Sequence, residues 1–310
     1  MMLNPLLFLA LLGAAPQTGT PPPPSVKPAQ TTPAASPVVA PGAKPQLVAR
    51  QFKFTEGPAA DRAGNVFFTD QPNNKIWKYG LDGKLSVFLD PAGRSNGLYF
   101  DQKGNLLACA DEHNQLWSIG PNGKVTVLVK DLQGKRLNGP NDLWLNPKTG
   151  GLYFTDPYYQ RDYWTRTTSE LDGQKVYYMA TQQAAPVAVD ADLRQPNGII
   201  GTPDGRTLYV ADIGAGKTYR YRIGADGRLL DRQLFVEQGS DGMTLDREGN
   251  VYLTGKGVTV YNPAGRQIDH IDVPEAWTGN VCFGGKDRRT LFITASEAVY
   301  VLPMRVSGAL

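Results

Sequence analysis

The chain has 310 residues, 41% of them apolar and 20% charged, with 34 glycines and 24 prolines. That suits one large or two ordinary soluble, turn-rich domains. Residues 1–55 lack Asp and Glu but carry Lys27, Lys44, Arg50 and Lys53, which leaves 28 basic against 29 acidic side chains in 56–310; no basic stripe remains to pair with phosphates, which argues against nucleic acid as a partner.

Residues 3–15, LNPLLFLALLGAA, have the length of a signal-peptide apolar core and are too short to span a bilayer. Gly13 and Ala15 are small residues at a spacing that suits cleavage, so residues 1–15 are expected to be a signal peptide and the protein to be exported, periplasmic or secreted. No Cys follows that would take a lipid anchor. Residues 16–45 hold ten prolines among Ala, Thr, Ser, Gly and Gln, a composition that buries too little apolar surface to order itself. They are expected to be a semi-extended tether, with the folded domain spanning 46–310.

From Glu56 onward one unit repeats. EGPAADRAGNVFFTD begins at Glu56, NGLYFDQKGNLLACAD at Asn96, NDLWLNPKTGGLYFTD at Asn141, NGIIGTPDGRTLYVAD at Asn197, DGMTLDREGNVYLTG at Asp241 and NVCFGGKDRRTLFITA at Asn280. Each opens on an oxygen-bearing side chain, then gives a short apolar strand, an Asp/Gly/Asn turn and a second strand. Two more strands follow, as in KIWKYG and KLSVFLD, joined by Asp82-Gly83, or QLWSIG and KVTVLV, joined by Asn122-Gly123. The openings are 40, 45, 56, 44 and 39 residues apart, and four strands in that length make a propeller blade. The fold class is therefore all-β: a six-bladed β-propeller with four-stranded antiparallel blades. The long third unit carries an insertion, DPYYQRDYWTRTTSELDG, between its second and third strands. Pro45–Phe54, which contains LVARQFKF, is expected to pair with the last blade and close the ring. Cys109 and Cys282, in apolar runs, read as buried free thiols.

The first strand of each blade lines the central tunnel, so the six openings converge at one mouth. Two carboxylates, Glu56 and Asp241, and four amides, Asn96, Asn141, Asn197 and Asn280, then face one axis. Oxygen donors without His or Cys suit a hard cation. Asn-Gly and Asp-Gly also serve plain turns, but Glu56-Gly57-Pro58 has no such use. The loops after the second strands share the mouth and carry Asp70, His113, Asp156, Tyr158, Tyr159 and Asp212. His113 and Tyr158 are therefore candidate substrate contacts, His113 as a proton shuttle.

Five stretches, TEGPAAD at Thr55, RLNGPNDLWLNPKTGGLYFTDP at Arg136, QPNGIIGTPDG at Gln195, SDGMTLDREGNVYLT at Ser240 and CFGGKDRRTLFIT at Cys282, resemble the senescence-marker-protein, gluconolactonase and luciferin-regenerating-enzyme family of six-bladed propellers. The resemblance implies a divalent-cation site, Ca²⁺ first and Mg²⁺, Mn²⁺ or Zn²⁺ as alternatives, held by Glu56, Asn141, Asn197 and Asp241. It implies substrate contacts at Arg136 and Asn138, and it leaves open which of Asn138 and Asn141 touches the metal.

The resulting expectation is a monomeric, metal-dependent hydrolase of a small ester, a sugar lactone above all, with Asp241 as the base that takes a proton from water. Two alternatives stay open: a phosphotriesterase using the same site, and a non-catalytic propeller that holds calcium and binds a ligand. No Gly-x-Ser-x-Gly elbow supports serine chemistry.

Overall fold

A computed structural model describes residues 36–309; the signal-peptide reading of 1–15 and most of the tether lie outside them. Six four-stranded antiparallel sheets follow one another, with only a three-residue 3₁₀ turn at Ile213–Ala215 among the described residues. This is a six-bladed propeller. The innermost strands are Thr55–Ala60, Ser95–Phe100, Leu143–Leu145, Pro196–Gly201, Met243–Leu245 and Thr278–Gly284. Gln46–Arg50 pairs with Ala298–Pro303 and becomes the outer strand of the sixth blade, as the closure argument expects. No described helix is long and apolar enough to cross a membrane.

The repeat's small letters have identifiable duties. In DRAGN, DQKGN and DREGN, the leading Asp61, Asp101 and Asp246 each accept a backbone N–H and a side-chain amide from the Asn four residues on. These bonds satisfy the tight turn between the first two strands. In the second strands, Thr69, Thr155 and Thr254 donate their hydroxyls to Asn96 O, Asn197 O and Gly279 O of the following blade, at 3.1, 2.7 and 2.8 Å. Thr55 donates to Ala298 O at 2.9 Å and stitches the first blade to the last.

Apolar clusters fill the wedges between blades. At the closure, Phe52 meets Phe68 and Trp77 edge-on, with ring centroids 5.2 and 5.5 Å away, and Phe68 lies 5.4 Å from Phe292. Cys109 and Cys282 are both free. Cys109 is buried and Cys282 half-buried.

Order begins earlier than the tether reading predicts. Val38 is fully buried among Val260, Leu302 and Met304, Val39 bridges Met304, and Ser36 donates to Asp269. The composition of 16–45 averages over a stretch whose end holds an apolar pair, Val38-Val39, and that pair docks on the sixth blade.

Candidate functional site

Close backbone approach brings the six openings together. Gly57 has φ of 43°, and a Cβ there would lie 2.0 Å from Asn96 O. A Cβ on Gly242 would strike the Asn280 amide at 1.9 Å. Only glycine fits either place, which explains the residue following Glu56 and Asp241.

Glu56 and Asn197 are buried and Asp241 half-buried. The Asn197 amide and the Glu56 carboxyl are near neighbours of the Asp241 carboxylate and act on its charge, so these three side chains come together at the mouth. Loss of water and the Asp241 charge push the Glu56 carboxyl well above its usual range. Asp241 is also raised by burial, an effect opposed by Trp277, Asn197 and the Arg161 charge.

The Asn197 amide is half satisfied. Its Nδ2 donates to the Tyr159 hydroxyl at 2.9 Å, while its buried Oδ1 has no hydrogen-bond partner. A buried acceptor without a donor is costly, and this one lies beside two crowded carboxyls. Asn141 is buried too, and its side-chain amide makes no hydrogen bond among the described residues. Asn280 differs: its Oδ1 accepts from Val281 N at 2.8 Å, and its amide lies beside the Glu56 and Asp142 carboxyls, opposing the rise in both. It spaces two carboxyls apart. Of the other openings, Asn96 is buried as well, and Glu56, Asn141, Asn197 and Asp241 form an all-oxygen donor set that fits a hard divalent cation.

Several sequence candidates sit elsewhere. Asn138 is fully buried, donates to Asp156 O and Gly173 O at 3.0 and 2.8 Å, and accepts from Ser169. Both of its N–H groups and one acceptor position on Oδ1 are used, so it braces the insertion. Of Asn138 and Asn141, the latter has the freer amide. His113 is half exposed and stacks on Trp117, 5.6 Å away, with its nearest carboxylate Glu112 on its own loop; no contact ties it to the ring. Arg136 is exposed and pairs with Glu170 through Nε at 2.6 Å. Tyr158 bonds Gln160 within the insertion, and the Arg166 guanidinium covers its ring at 5.2 Å. Asp70, Asp156 and Asp212 each accept two backbone N–H groups from the chain entering their own blade, which is structural work.

Other residues take their place. Trp277, from the loop before the sixth inner strand, donates Nε1–H to Asp241 Oδ2 at 2.6 Å. Tyr159, two residues beyond the third blade's Asp156-Pro157 end, holds Asn197, and burial pushes its hydroxyl up to about 12. Arg161 lies 5.5 Å from the Tyr159 ring and pairs with buried Asp111 at 2.9 Å. Asp142 is buried one step below Asn141, and burial pushes it up to about 7. None of the four stands at a repeat opening, and Trp277 and Arg161 carry no motif. Beneath the ring, Asp142 and Asn280 border an axial cavity of about 250 Å³, walled by Leu98, Leu143, Ile199 and Met243.

Comparison with known proteins agrees with this architecture. Residues 54–297 match the family model described as the SMP-30/Gluconolactonase/LRE-like region. A gluconolactonase of Zymomonas mobilis is 28% identical over 297 residues, spanning 85% of this chain and 82% of that protein. The structure of a gluconolactonase from Xanthomonas campestris superposes with a TM-score of 0.79 at 29% identity, covering 86% of this chain and 91% of that one. A regucalcin from Agrobacterium tumefaciens, described as a calcium-binding protein, shares the fold at a TM-score of 0.71 and 21% identity, over 86% and 95% of the two chains.

Proposed function

The chain belongs to the SMP-30/gluconolactonase/LRE-like family, and from that premise we propose that it hydrolyses a small lactone, a sugar lactone first, at a divalent-cation site held by Glu56, Asn141, Asn197 and Asp241. One observation carries the reading: the buried Asn197 Oδ1 has no hydrogen-bond partner, beside two carboxyls that crowd each other. The oxygen-only donors favour Ca²⁺, with Mg²⁺, Mn²⁺ or Zn²⁺ as alternatives. The gluconolactonase relatives supply the substrate class.

When bound, such a cation polarises the lactone carbonyl and offsets the negative charge that grows on its oxygen. The chain's own residues do the rest. Asp241 takes the proton of the attacking water, its Oδ2 fixed by Trp277. Tyr159 accepts from Asn197 Nδ2, so its own O–H is free to donate to a substrate oxygen. Arg161 adds positive charge at the mouth, a role the exposed, Glu170-bound Arg136 shares only from further out. The insertion that carries Tyr159 and Arg161 screens the mouth from bulk water.

A pH-stat assay on a panel of aldonolactones, with and without chelator, tests this. Turnover should need the cation, and Asp241→Asn should lower kcat/KM by about 10²–10⁴-fold, the range for loss of a general base, with the fold retained by circular dichroism. Cation binding without turnover on any lactone would replace the hydrolase with a binding propeller.

A further inference from the structure

We infer that Tyr159 and Trp277 are positioning residues for the cation, each fixing one ligand side chain, and that closure of the 157–174 insertion and cation binding are therefore one coupled event. The inference rests on the metal-site reading above. An asparagine amide can turn either end toward a site. Donation from Asn197 Nδ2 to Tyr159 OH at 2.9 Å decides the matter and leaves Oδ1 as the end without a partner. Trp277 acts on Asp241 in the complementary way. An indole N–H only donates, so at 2.6 Å it holds Oδ2 and fixes the plane of the carboxylate.

Both clamps come from outside the six-fold pattern, and both are braced. Tyr159 rides on the insertion, whose anchor is buried Asp111 of the second blade. Asp111 accepts from Arg161 Nε at 2.9 Å, from Gln71 Nε2 of the first blade at 3.1 Å and from the Tyr163 hydroxyl, and its carbonyl accepts Trp164 Nε1–H at 3.0 Å. Trp277 lies over Gly255, where a Cβ would touch the indole at 3.7 Å. Its loop is tied down by Glu275, which takes the Tyr300 hydroxyl at 2.6 Å and the Arg50 guanidinium at 2.5 Å. An undocked insertion frees the Asn197 amide to rotate, and the ordering is then charged against cation binding. Linkage is reciprocal, so a bound cation must hold the insertion down.

Ca²⁺ titration calorimetry on the full chain tests this with Tyr159→Phe, Trp277→Phe and Asp111→Asn. Groups that orient metal ligands are commonly worth about 10–100-fold in affinity. Each variant should weaken Ca²⁺ binding about tenfold or more, Asp111→Asn included, although Asp111 touches no ligand. Hydrogen exchange of residues 157–166 should slow on adding Ca²⁺ to the wild type and stay unchanged in Tyr159→Phe. Wild-type affinity in all three variants, or exchange that ignores Ca²⁺, overturns the clamp alone. A wild-type chain that takes up no divalent cation overturns the site reading and the clamp together.

Discussion

Glu56 is held against its own preference. It is buried, faces Asp241, and feels Asp142. Such a carboxyl keeps its proton at pH values where an exposed one has lost it. The sign follows directly. With the folded value raised above the unfolded one, its contribution to stability is fully present below the unfolded value of about 4.3 and is lost as pH rises through the folded value. Glu56→Gln cannot ionise, and its amide still offers an oxygen to Gly57 N, which Glu56 Oε2 now satisfies at 2.9 Å. In chelator, Glu56→Gln should therefore melt higher than wild type near pH 7, by about 2–4 °C for each kcal/mol of relief. The advantage should vanish near pH 4, and Ca²⁺ affinity should fall throughout. A melting point at pH 7 equal to or below the wild type's would show that the carboxyl is not strained. Glu56, Asn197 and Asp241 were legible because each opens a repeat and precedes an invariant-looking gap for a side chain, Gly57, Gly198 or Gly242. Tyr159 was legible only as a residue of a mouth loop and Trp277 not at all, because an aromatic in a loop has no period to betray its role. The bracing by Asn138 was hidden too, because sequence shows an amide near the mouth and not that Asp156, Gly173 and Ser169 bond it.

At the scale of the element, the Phe-Thr-Asp ending of a second strand does two jobs. The Asp holds the incoming chain of its own blade, and the Thr reaches the next blade's opening. Thr155 is the informative case, since its hydroxyl takes the carbonyl of Asn197 itself at 2.7 Å and also receives Asp142 N at 3.2 Å. Thr155→Val keeps the shape and removes both bonds in a buried place. It should cost roughly 1–3 kcal/mol in a denaturant melt, and it should weaken Ca²⁺ binding because a ligand's backbone loses its tie. A full-strength Ca²⁺ isotherm alongside the lost stability would confine Thr155 to holding blades together. The strand pairs and the recurrence of Phe-Thr-Asp were readable from residues alone. Their partners were not, because these threonine contacts to the next blade join residues 25–42 positions apart and no local pattern states which blade a side chain faces.

For the whole propeller, stability depends on how the ring is shut, since an open ring exposes a sheet edge. Two segments shut it: Gln46–Arg50 pairs with the last blade, and Ser36–Val39 packs beyond it. The first was visible as an apolar run with no partner of its own. The second was masked by its prolines, which argue for extension and say nothing of Val38. A chain beginning at Pro45 keeps the pairing strand and loses the Val38 contact, the Val39–Met304 bridge and the Arg305 N to Val38 O bond at 2.8 Å. Burying a valine is worth about 1.5–3 kcal/mol, so that chain should be less stable than one beginning at Ser36 by at least this amount. Val38→Ala in the longer chain should by itself lose part of that stability, and Ca²⁺ affinity should be the same in all three because the mouth lies apart from this edge. Equal denaturation midpoints for the Ser36 and Pro45 chains would show that the segment rests on the sixth blade without stabilising it, leaving Gln46–Arg50 and the Phe52–Phe68 contact to close the ring alone.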